Sequence, residues 1–495
     1  MLVRQGGRGR SLYDEIKSSV LDGTYLAGTA LPSSRACAAE RGLSRSTVSS
    51  VYEQLAAEGF VEMRQGAGTR VAAGAAVAGA ARPKGAKGAR RPRVDPALSS
   101  IGRRLESLAL PVRSASAPEV VDFVYGPLAG RDFPTLAWTK AARQVERQRA
   151  PVLAYEDPQG NEELRAALRV HLAHARGVFC DTSQLLVVNG SQQALDLCAR
   201  LLVEPGDTVA VENPGYRMAH HVFECAGATL RGVAVDPQGL VPADLAHVPD
   251  ARLIYVTPTH QFPMGGLMTI RRRNALLEWA AEKGAWIVED DYDSEYRHAA
   301  RPEAALQALD DRGLVIYVGT FSKTLSPQLR LGYMVLPHRL VAAFATAKRV
   351  ADRHAPSAPQ RTLARLLKSG AYDRHVRRLR RSQKARREAL LAALGHYLQG
   401  QVSVHGASSG LHLVVAFDDL PSALEEELAR LALLEGVQAY PLGRFYLPAP
   451  SASAAGRPAA LVLGYASLEP ERMDPGVQRI ARALHRLRDR RTKGA

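Results

Sequence analysis

The chain has 495 residues, 46% of them apolar, enough for two or three domains with sizeable cores. Its apolar runs fall short of the roughly 18 residues that a membrane helix needs, and the opening MLVRQGGRGR lacks the apolar stretch of a signal peptide, so a cytoplasmic protein with no membrane partner is expected. The net charge of +16 is uneven, with +8 of it on residues 1–120, which points to a polyanionic partner, nucleic acid first.

In chain order, Ser11 to Ile16 (SLYDEI) predicts a first helix, with Ser11 as cap, Leu12, Ile16 and Val20 as its apolar stripe, and Asp22-Gly23 as its stop. Leu31-Pro32-Ser33-Ser34 predicts a second, capped by Ser33 or Ser34 and stopped by Gly42; Ser44-Arg45-Ser46-Thr47-Val48 starts a third at once. Two short helices joined by a glycine turn form the helix-turn-helix pattern, whose second helix enters the major groove of DNA. Gly59 to Met63 reads as a strand, Gln65 to Gly68 as a turn and Thr69 to Val71 as the return strand of a wing. Arg45 and Ser46 fall on the first turn of the reading helix, where side chains and backbone N–H groups meet phosphates and base edges. A small helical bundle with a solvated basic face satisfies the same spacing.

The ordered set LPSSR (Leu31 to Arg35), SRSTV (Ser44 to Val48), YEQLAAEGF (from Tyr52) and GAGT (Gly66 to Thr69) resembles the winged helix of GntR-type bacterial repressors over the whole head, residues 1–72. That resemblance implies operator DNA as partner, contacted by Arg35, Ser44, Arg45, Ser46, Thr47, Gly66, Gly68 and Thr69. Ala27, where a proline usually precedes Gly28, and Cys37 depart from the pattern away from the expected DNA face.

From Ala72 to about Ala117 the periodicity vanishes. The stretch AAGAAVAGAARPKGAKGARRPRVDP has no large apolar residue, so residues 73–118 are expected to form a flexible basic linker. Its run from Arg82 to Arg93 is either a solvated tether or a track for the phosphate backbone.

Beyond it, Leu185 to Val188 precedes a helix from Gln192 to Leu202, and Thr208 to Val211 follows. Leu253 to Val256, Ala285 to Val288 and Val315 to Val318 each come behind a helical stretch. This βαβ pattern predicts an α/β body over 119–495 with a mostly parallel, buried sheet and a ligand crevice at the carboxyl ends of its strands.

Three of those ends carry informative residues. Asn189-Gly190-Ser191-Gln192-Gln193 feeds a helix N-terminus, a favourable place for a phosphate. Glu289-Asp290-Asp291-Tyr292-Asp293 crowds carboxylates at a strand end, as a ligand cluster or a solvated loop. Neither their spacing nor the four cysteines, Cys37, Cys180, Cys198 and Cys225, suits a metal site, so none is expected. Gly319-Thr320-Phe321-Ser322-Lys323 sets a lysine just past an apolar strand, where lost hydration lowers its pKa and makes it a nucleophile. Together the three ends fit pyridoxal 5'-phosphate, which needs a lysine for its aldehyde, a carboxylate for its ring nitrogen, and a helix start, hydroxyls and an arginine for its phosphate.

Residues 119–495 resemble fold type I aminotransferases throughout, with a smaller α+β subdomain implied. By that resemblance Lys323 is the catalytic, cofactor-bearing lysine. Asp290 pairs with the ring nitrogen, with adjacent Asp291 as the other candidate, and Tyr292 and His260 reach the ring hydroxyl. Tyr216 in ENPGY stacks on the ring, and Ser191, Gln192, Thr320, Ser322 and Arg330 hold the phosphate. Tyr155 in YEDPQG comes from the second subunit of a homodimer.

The departures are informative. TPTHQFPMG puts His260 where an asparagine is usual, and DDY shortens the usual D-x-x-Y. Val462 in LVLGYA stands where many aminotransferases carry the arginine for a substrate carboxylate; Arg444 in GRFY is the candidate substitute for an effector carboxylate. With the head, these departures match the MocR (GabR-like) regulators. The implied function is a transcriptional regulator that senses pyridoxal phosphate, alone or with an amino acid or amine. The rival is a working aminotransferase that carries a DNA-binding head.

Overall fold

The chain divides into two compact units, Met1–Ala97 and Leu98–Ala495. The structure, a computed structural model, describes residues 7–64, 68–75, 96–108, 110, 117, 119–148, 154–248, 250–297, 304–448 and 456–494.

In the smaller unit α1 (Gly7–Leu21) buries Leu12, Tyr13, Ile16 and Val20 on one face. It begins ahead of Ser11, so that serine lies within the helix and does not cap it; an Arg10–Asp14 pair at 3.3 Å spans the extra turn. Ser33 caps α2 (Ser34–Arg41), its Oγ accepting from Ala36 N at 3.2 Å, and Gly42 ends that helix at φ +60°. Ser44 caps α3 (Arg45–Ala57), its Oγ accepting from Thr47 N at 3.1 Å. β1 (Val61–Arg64) and β2 (Gly68–Val71) form the antiparallel wing. Gly28 N and Leu31 N donate to Val71 O and Thr69 O at 2.9 and 2.8 Å, so the stretch after α1 joins the wing, which its sequence did not announce.

α4 (Ser100–Glu106) corrects the expected aperiodic linker at one place. Ser99 caps it, accepting from Gly102 N at 3.1 Å, and Arg104 Nε donates to Cys225 O at 2.8 Å. Ile101 and Leu105 repeat at helical spacing, a pattern too short to stand out beside the Ala/Gly/Pro tract. The basic run 82–93 lies outside the described residues.

β3 (Val121–Asp122) opens the body. The large sheet comprises β4 (Leu185–Val188), β5 (Thr208–Asn213), β6 (Thr229–Asp236), β7 (Gly239–Leu240), β8 (Ala251–Val256), β9 (Trp286–Asp291), β10 (Val315–Thr320) and β11 (Gly332–Val335). Their order is β4-β11-β10-β9-β8-β5-β6-β7, parallel from β10 through β6 and antiparallel at both edges. Thus β4 is not a neighbour of β5, as a simple crossover would make it, but pairs with β11 at the far edge.

The helices are α5 (Thr135–Arg147), α6 (Glu162–Arg176), α7 (Ser191–Leu202), α8 (Arg217–Ala226), α9 (Ile270–Lys283), α10 (His338–Asp352), α11 (Ser357–Lys368), α12 (Ala371–Tyr397), α13 (Glu425–Leu434) and α14 (Met473–Gly494). Alternate strand residues divide between two cores: Leu186, Val188, Val211, Tyr255 and Val318 face α7, α8 and α10, whereas Leu185, Val187 and Tyr317 face α5, α6 and α11. A sheet covered on both faces must be apolar on both, which is why its strands read as continuous apolar runs. β12 (Val402–His405), β13 (His412–Pro421), β14 (Val437–Gln438), β15 (Tyr440–Pro441) and β16 (Pro458–Gly464) complete the strands. β12-β13-β16-β15 form a smaller antiparallel sheet, and β14 pairs in parallel with β3. Among the described residues no helix is long and apolar enough to cross a membrane.

One carboxylate fastens the head's helices. Glu58, just past α3, accepts from Tyr13 Oη at 2.5 Å, Lys17 Nζ at 2.9 Å and Gln54 Nε2 at 3.1 Å. The tyrosine bond foremost, then the lysine, lowers its pKa from 4.5 to about 2. A folded value below the unfolded one stabilises fully above the unfolded value, and that stabilisation is lost as pH falls through the folded one. Glu58→Gln is therefore expected to speed hydrogen exchange of α1 and α3 amides in the full chain at neutral pH. The difference from the parent should shrink as pH falls from about 4.5 toward 2; an undiminished difference at low pH would contradict this account.

Candidate functional site

β9 lies between β8 and β10, and its residues from Ile287 to Asp291 are buried. The acidic cluster is therefore not a solvated loop: Glu289, Asp290 and Asp291 belong to the strand itself. Side chains alternate along a strand, so the two aspartates point to opposite faces. Asp290 Oδ2 accepts from Tyr255 Oη at 2.8 Å and the residue lines a cavity of about 460 Å³. Asp291 Oδ2 accepts from Arg176 Nε at 2.6 Å and from Tyr317 Oη, and it does not line that cavity.

The cavity sits at the carboxyl ends of β5, β8, β9 and β10. Lys323, three residues past β10, reaches it, with Nζ donating to Gly126 O at 3.0 Å. Burial foremost lowers the lysine's pKa below its ordinary value, against the opposing pull of Asp293 and Asp290. Burial likewise pushes Asp290 up to about 7. Its Oδ1 is buried without a hydrogen-bond partner.

Opposite these, Ser191 and Gln192 begin α7, whose N-cap Gly190 supplies no side-chain cap. The backbone conformation is what calls for glycine here. Its φ is +80°, and a Cβ there would lie 2.8 Å from Arg330 Nη2. Arg330 donates from Nη2 to Asn189 O at 2.6 Å and is itself held at φ +51°, a left-handed conformation uncommon for arginine. Thr320 Oγ1 donates to Ser322 Oγ at 3.0 Å beside them. A helix start, two hydroxyls and a guanidinium thus converge as an anion cradle.

Ser191, Gln192, Tyr216, Asp290, Tyr292, Thr320, Ser322, Lys323 and Arg330 all line this one cavity. His260 and Arg444 do not line it, and Tyr155, expected from a second subunit, lies outside it too. His260 is buried behind it, with Nδ1 2.8 Å from Asp293 Oδ2 and 2.9 Å from Tyr292 Oη, so it positions the tyrosine. Tyr155 is 76% exposed, beside the rings and guanidinium of His354 and Arg353. Arg444 donates to both oxygens of Glu426, at 2.8 and 2.6 Å, on the surface.

The lining also contains residues that sequence reasoning passed over. Tyr255 lies in the apolar run of β8, where its ring reads as core; a hydroxyl near the carboxyl end of a central strand was the available signal. Tyr125, Phe262 and His412 come from distant segments with no local pattern. In the head, Arg35, Ser44, Arg45, Ser46 and Gly68 are exposed and Thr47 is half-buried. Thr69 is buried, because β2 alternates and turns it inward, which corrects its expected contact with DNA. Gly66 lies outside the described residues.

Residues 8–71 match the bacterial regulatory proteins of the gntR family, and residues 122–480 match aminotransferase class I and II. The chain is 38% identical to the probable rhizopine catabolism regulatory protein MocR of Rhizobium meliloti, over 96% of this chain and 93% of that protein. It is 35% identical to the HTH-type transcriptional regulator TauR of Rhodobacter capsulatus, over 97% of each. Among solved structures it resembles LysN, an α-aminoadipate aminotransferase of Thermus thermophilus complexed with N-(5'-phosphopyridoxyl)-L-leucine. That likeness has 30% identity and a TM-score of 0.67, covering 79% of this chain and 95% of LysN. Relatives that match almost end to end carry the same two parts, so the chain belongs to the MocR subfamily of GntR regulators, with a helix-turn-helix head and a fold type I aminotransferase-like body.

Proposed function

We propose that this chain is a cytoplasmic, homodimeric transcriptional regulator whose head binds operator DNA and whose body senses pyridoxal 5'-phosphate, alone or with an amine effector. The observation that carries this reading is one chain holding both an exposed reading-helix start, Ser44 to Ser46, and a cavity fitted to that cofactor. The fit rests on the donor set. The buried, partnerless Oδ1 of Asp290 lacks a donor that a protonated ring nitrogen provides, and the cradle at Ser191, Gln192, Thr320, Ser322 and Arg330 suits a phosphate.

When bound, pyridoxal phosphate supplies an aldehyde reactive toward primary amines and a ring that withdraws electrons. Lys323, its ammonium form disfavoured by burial, is the nucleophile for that aldehyde. Tyr255 fixes Asp290 in place, and Asp290 would hold a proton on the ring nitrogen. His260 and Asp293 orient the Tyr292 hydroxyl, and Tyr216 lines the place of the ring. Tyr155, exposed in this chain, is assigned to the cavity of a second subunit.

A regulator is favoured over a working aminotransferase by two positions. Val462 is fully buried in an apolar cluster where an aminotransferase carries a carboxylate-binding arginine, and Arg444 is occupied by Glu426.

Three measurements test this reading. Arg45→Ala is expected to cost about 1–3 kcal/mol of operator affinity, read by fluorescence titration at fixed salt; unchanged affinity would remove α3 from the DNA interface. Asp290→Asn is expected to lower cofactor affinity at least about tenfold with little change in thermal stability. Asp291→Asn is expected to cost about 3–5 kcal/mol of stability, because it leaves Arg176 buried without its charge partner. The reverse pattern would exchange the two roles. Lys323→Ala is expected to retain DNA binding but lose the change in DNA affinity on adding pyridoxal phosphate or amine. Equal responses in parent and variant would show that the lysine is not part of the switch.

A further inference from the structure

Two long helices of the body treat their basic residues differently. On α14, Arg482 and Arg486 pair with Glu435, Arg488 with Asp419 and Arg490 with Glu427, at 2.5 to 3.3 Å. On α12, Arg374, Arg377, Arg378 and Arg381 are exposed, and among the described residues none of them forms an ion pair. The two carboxylates of α12 stand beside other groups: Glu388 lies 3.7 Å from Lys384, and Asp373 lies 3.9 Å from the His171 ring. Arg374 Nη1 donates to Ser369 O and Arg378 Nη2 to Asp132 O, at 3.3 Å each, carbonyls that leave both charges uncompensated.

The four arginines share one side of the helix, because residues three and four apart are neighbours on its surface. The other side carries Tyr372, His375, Val376 and Leu379, all buried. Like charges at these spacings repel, so the stripe destabilises its own helix and gains nothing from within the chain. An outside polyanion removes that repulsion. At 1.5 Å per residue the stripe is about 10 Å long. One strand of duplex DNA presents a phosphate every 3.4 Å or so of helix axis, so about three successive phosphates match its length. A single small anion would meet only part of it.

The chain brings such a polyanion to itself. Residues 8–71 belong to a DNA-binding family, and a body tethered to a DNA-bound head meets the same duplex at a raised effective concentration. Resting on the operator-binding reading above, we infer that the exposed arginine stripe of α12 is a second DNA-contacting surface. It holds backbone phosphates of the duplex that flanks the bases read by the heads, and it adds affinity without sequence information.

The test uses the full-length, cofactor-loaded protein and two duplexes. One is the shortest duplex that it binds sequence-specifically, selected from a random pool; the other extends it on each side by about 30 base pairs, roughly three turns, of unrelated sequence. The stripe variant carries Arg374→Gln, Arg377→Gln and Arg381→Gln together. A control variant removes the same charge from exposed positions elsewhere on the body, by Arg231→Gln, Arg271→Gln and Lys283→Gln. On the flanked duplex the stripe variant is expected to bind at least about tenfold more weakly at low salt, with the slope of log affinity against log salt flatter by about two to three. On the short duplex it should match the parent within about twofold, with its cofactor absorbance unchanged. Parent-like affinity and slope on the flanked duplex overturn the inference, as does an equal loss in the control, which makes the effect one of net charge. An equal loss on both duplexes overturns the assignment to flanking DNA, and a changed oligomeric state of the stripe variant places the stripe in a subunit contact and overturns it too. Arg45→Ala is measured beside them: if it binds both duplexes like the parent while the stripe variant weakens on the flanked one, the body's contact stands and the reading of α3 fails.

Discussion

The body depends on the strict alternation of one strand. β9 is pinned on both sides by parallel neighbours, so neither Asp290 nor Asp291 is free to change face. One carboxylate therefore belongs to the cavity and its neighbour to the packing beneath it. Asp291 meets Arg176 and Tyr317, a buried ion pair whose disruption leaves an uncompensated charge. Asp290 accepts from the Tyr255 hydroxyl, and burial foremost raises its pKa to about 7. On the proposed assignment, a protonated ring nitrogen would turn that unfavourable burial into an ion pair, and selectivity for the cofactor would begin in the sheet rather than in a loop.

The lysine segment is anchored almost as firmly. Tyr296 Oη donates to Lys323 O at 2.5 Å, and Tyr372 Oη donates to Thr324 Oγ1 at 3.0 Å. His375 Nε2 lies 2.6 Å from Thr324 O and, facing a carbonyl, is the donor. Tyr372 and His375 stand in the first turns of α12, a helix of 27 residues. A shift of the backbone at Lys323 or Thr324 must either break these bonds or carry those turns with it. The cavity is thus joined by direct bonds to α12, the longest helix among the described residues.

What was legible in the sequence follows from how locally each feature is encoded. The helix-turn-helix was readable because caps and stops are local: Ser33, Ser44 and Gly42 act within three or four residues of themselves. The cofactor set was readable because strand ends cluster in an α/β fold, so Ser191, Asp290 and Lys323 converge although they are far apart in the chain. Local reasoning is silent where a residue's surroundings depend on a distant partner. His260 was expected at the ring, but Asp293 and Tyr292 engage it behind the cavity. Arg444 was read as the candidate for an effector carboxylate with no sign in its own segment of Glu426, on the neighbouring helix α13, which pairs with it at the surface. Thr69 was read by motif and not by strand phase, which turns it inward. The antiparallel place of β4 has no local signal either, because an edge strand and a crossover strand read alike when both faces are covered.

The cofactor cavity is built from residues of the larger unit and the reading helix from those of the smaller one. Regulation therefore requires a free-energy difference between arrangements of the two, and a ligand contributes only its differential affinity for those arrangements. Such coupling is reciprocal: if an amine weakens DNA binding by some factor, DNA weakens amine binding by the same factor. In the proposed homodimer the effect would be amplified, because two tethered heads would meet two half-sites at a raised effective concentration. Small rearrangements of the body would then change the geometry of paired binding while leaving each head's contacts with its half-site intact. On the proposed reading, Arg35 and Arg45 would keep an unchanging chemistry toward DNA while the occupancy of the cavity would set how tightly the pair of heads is held.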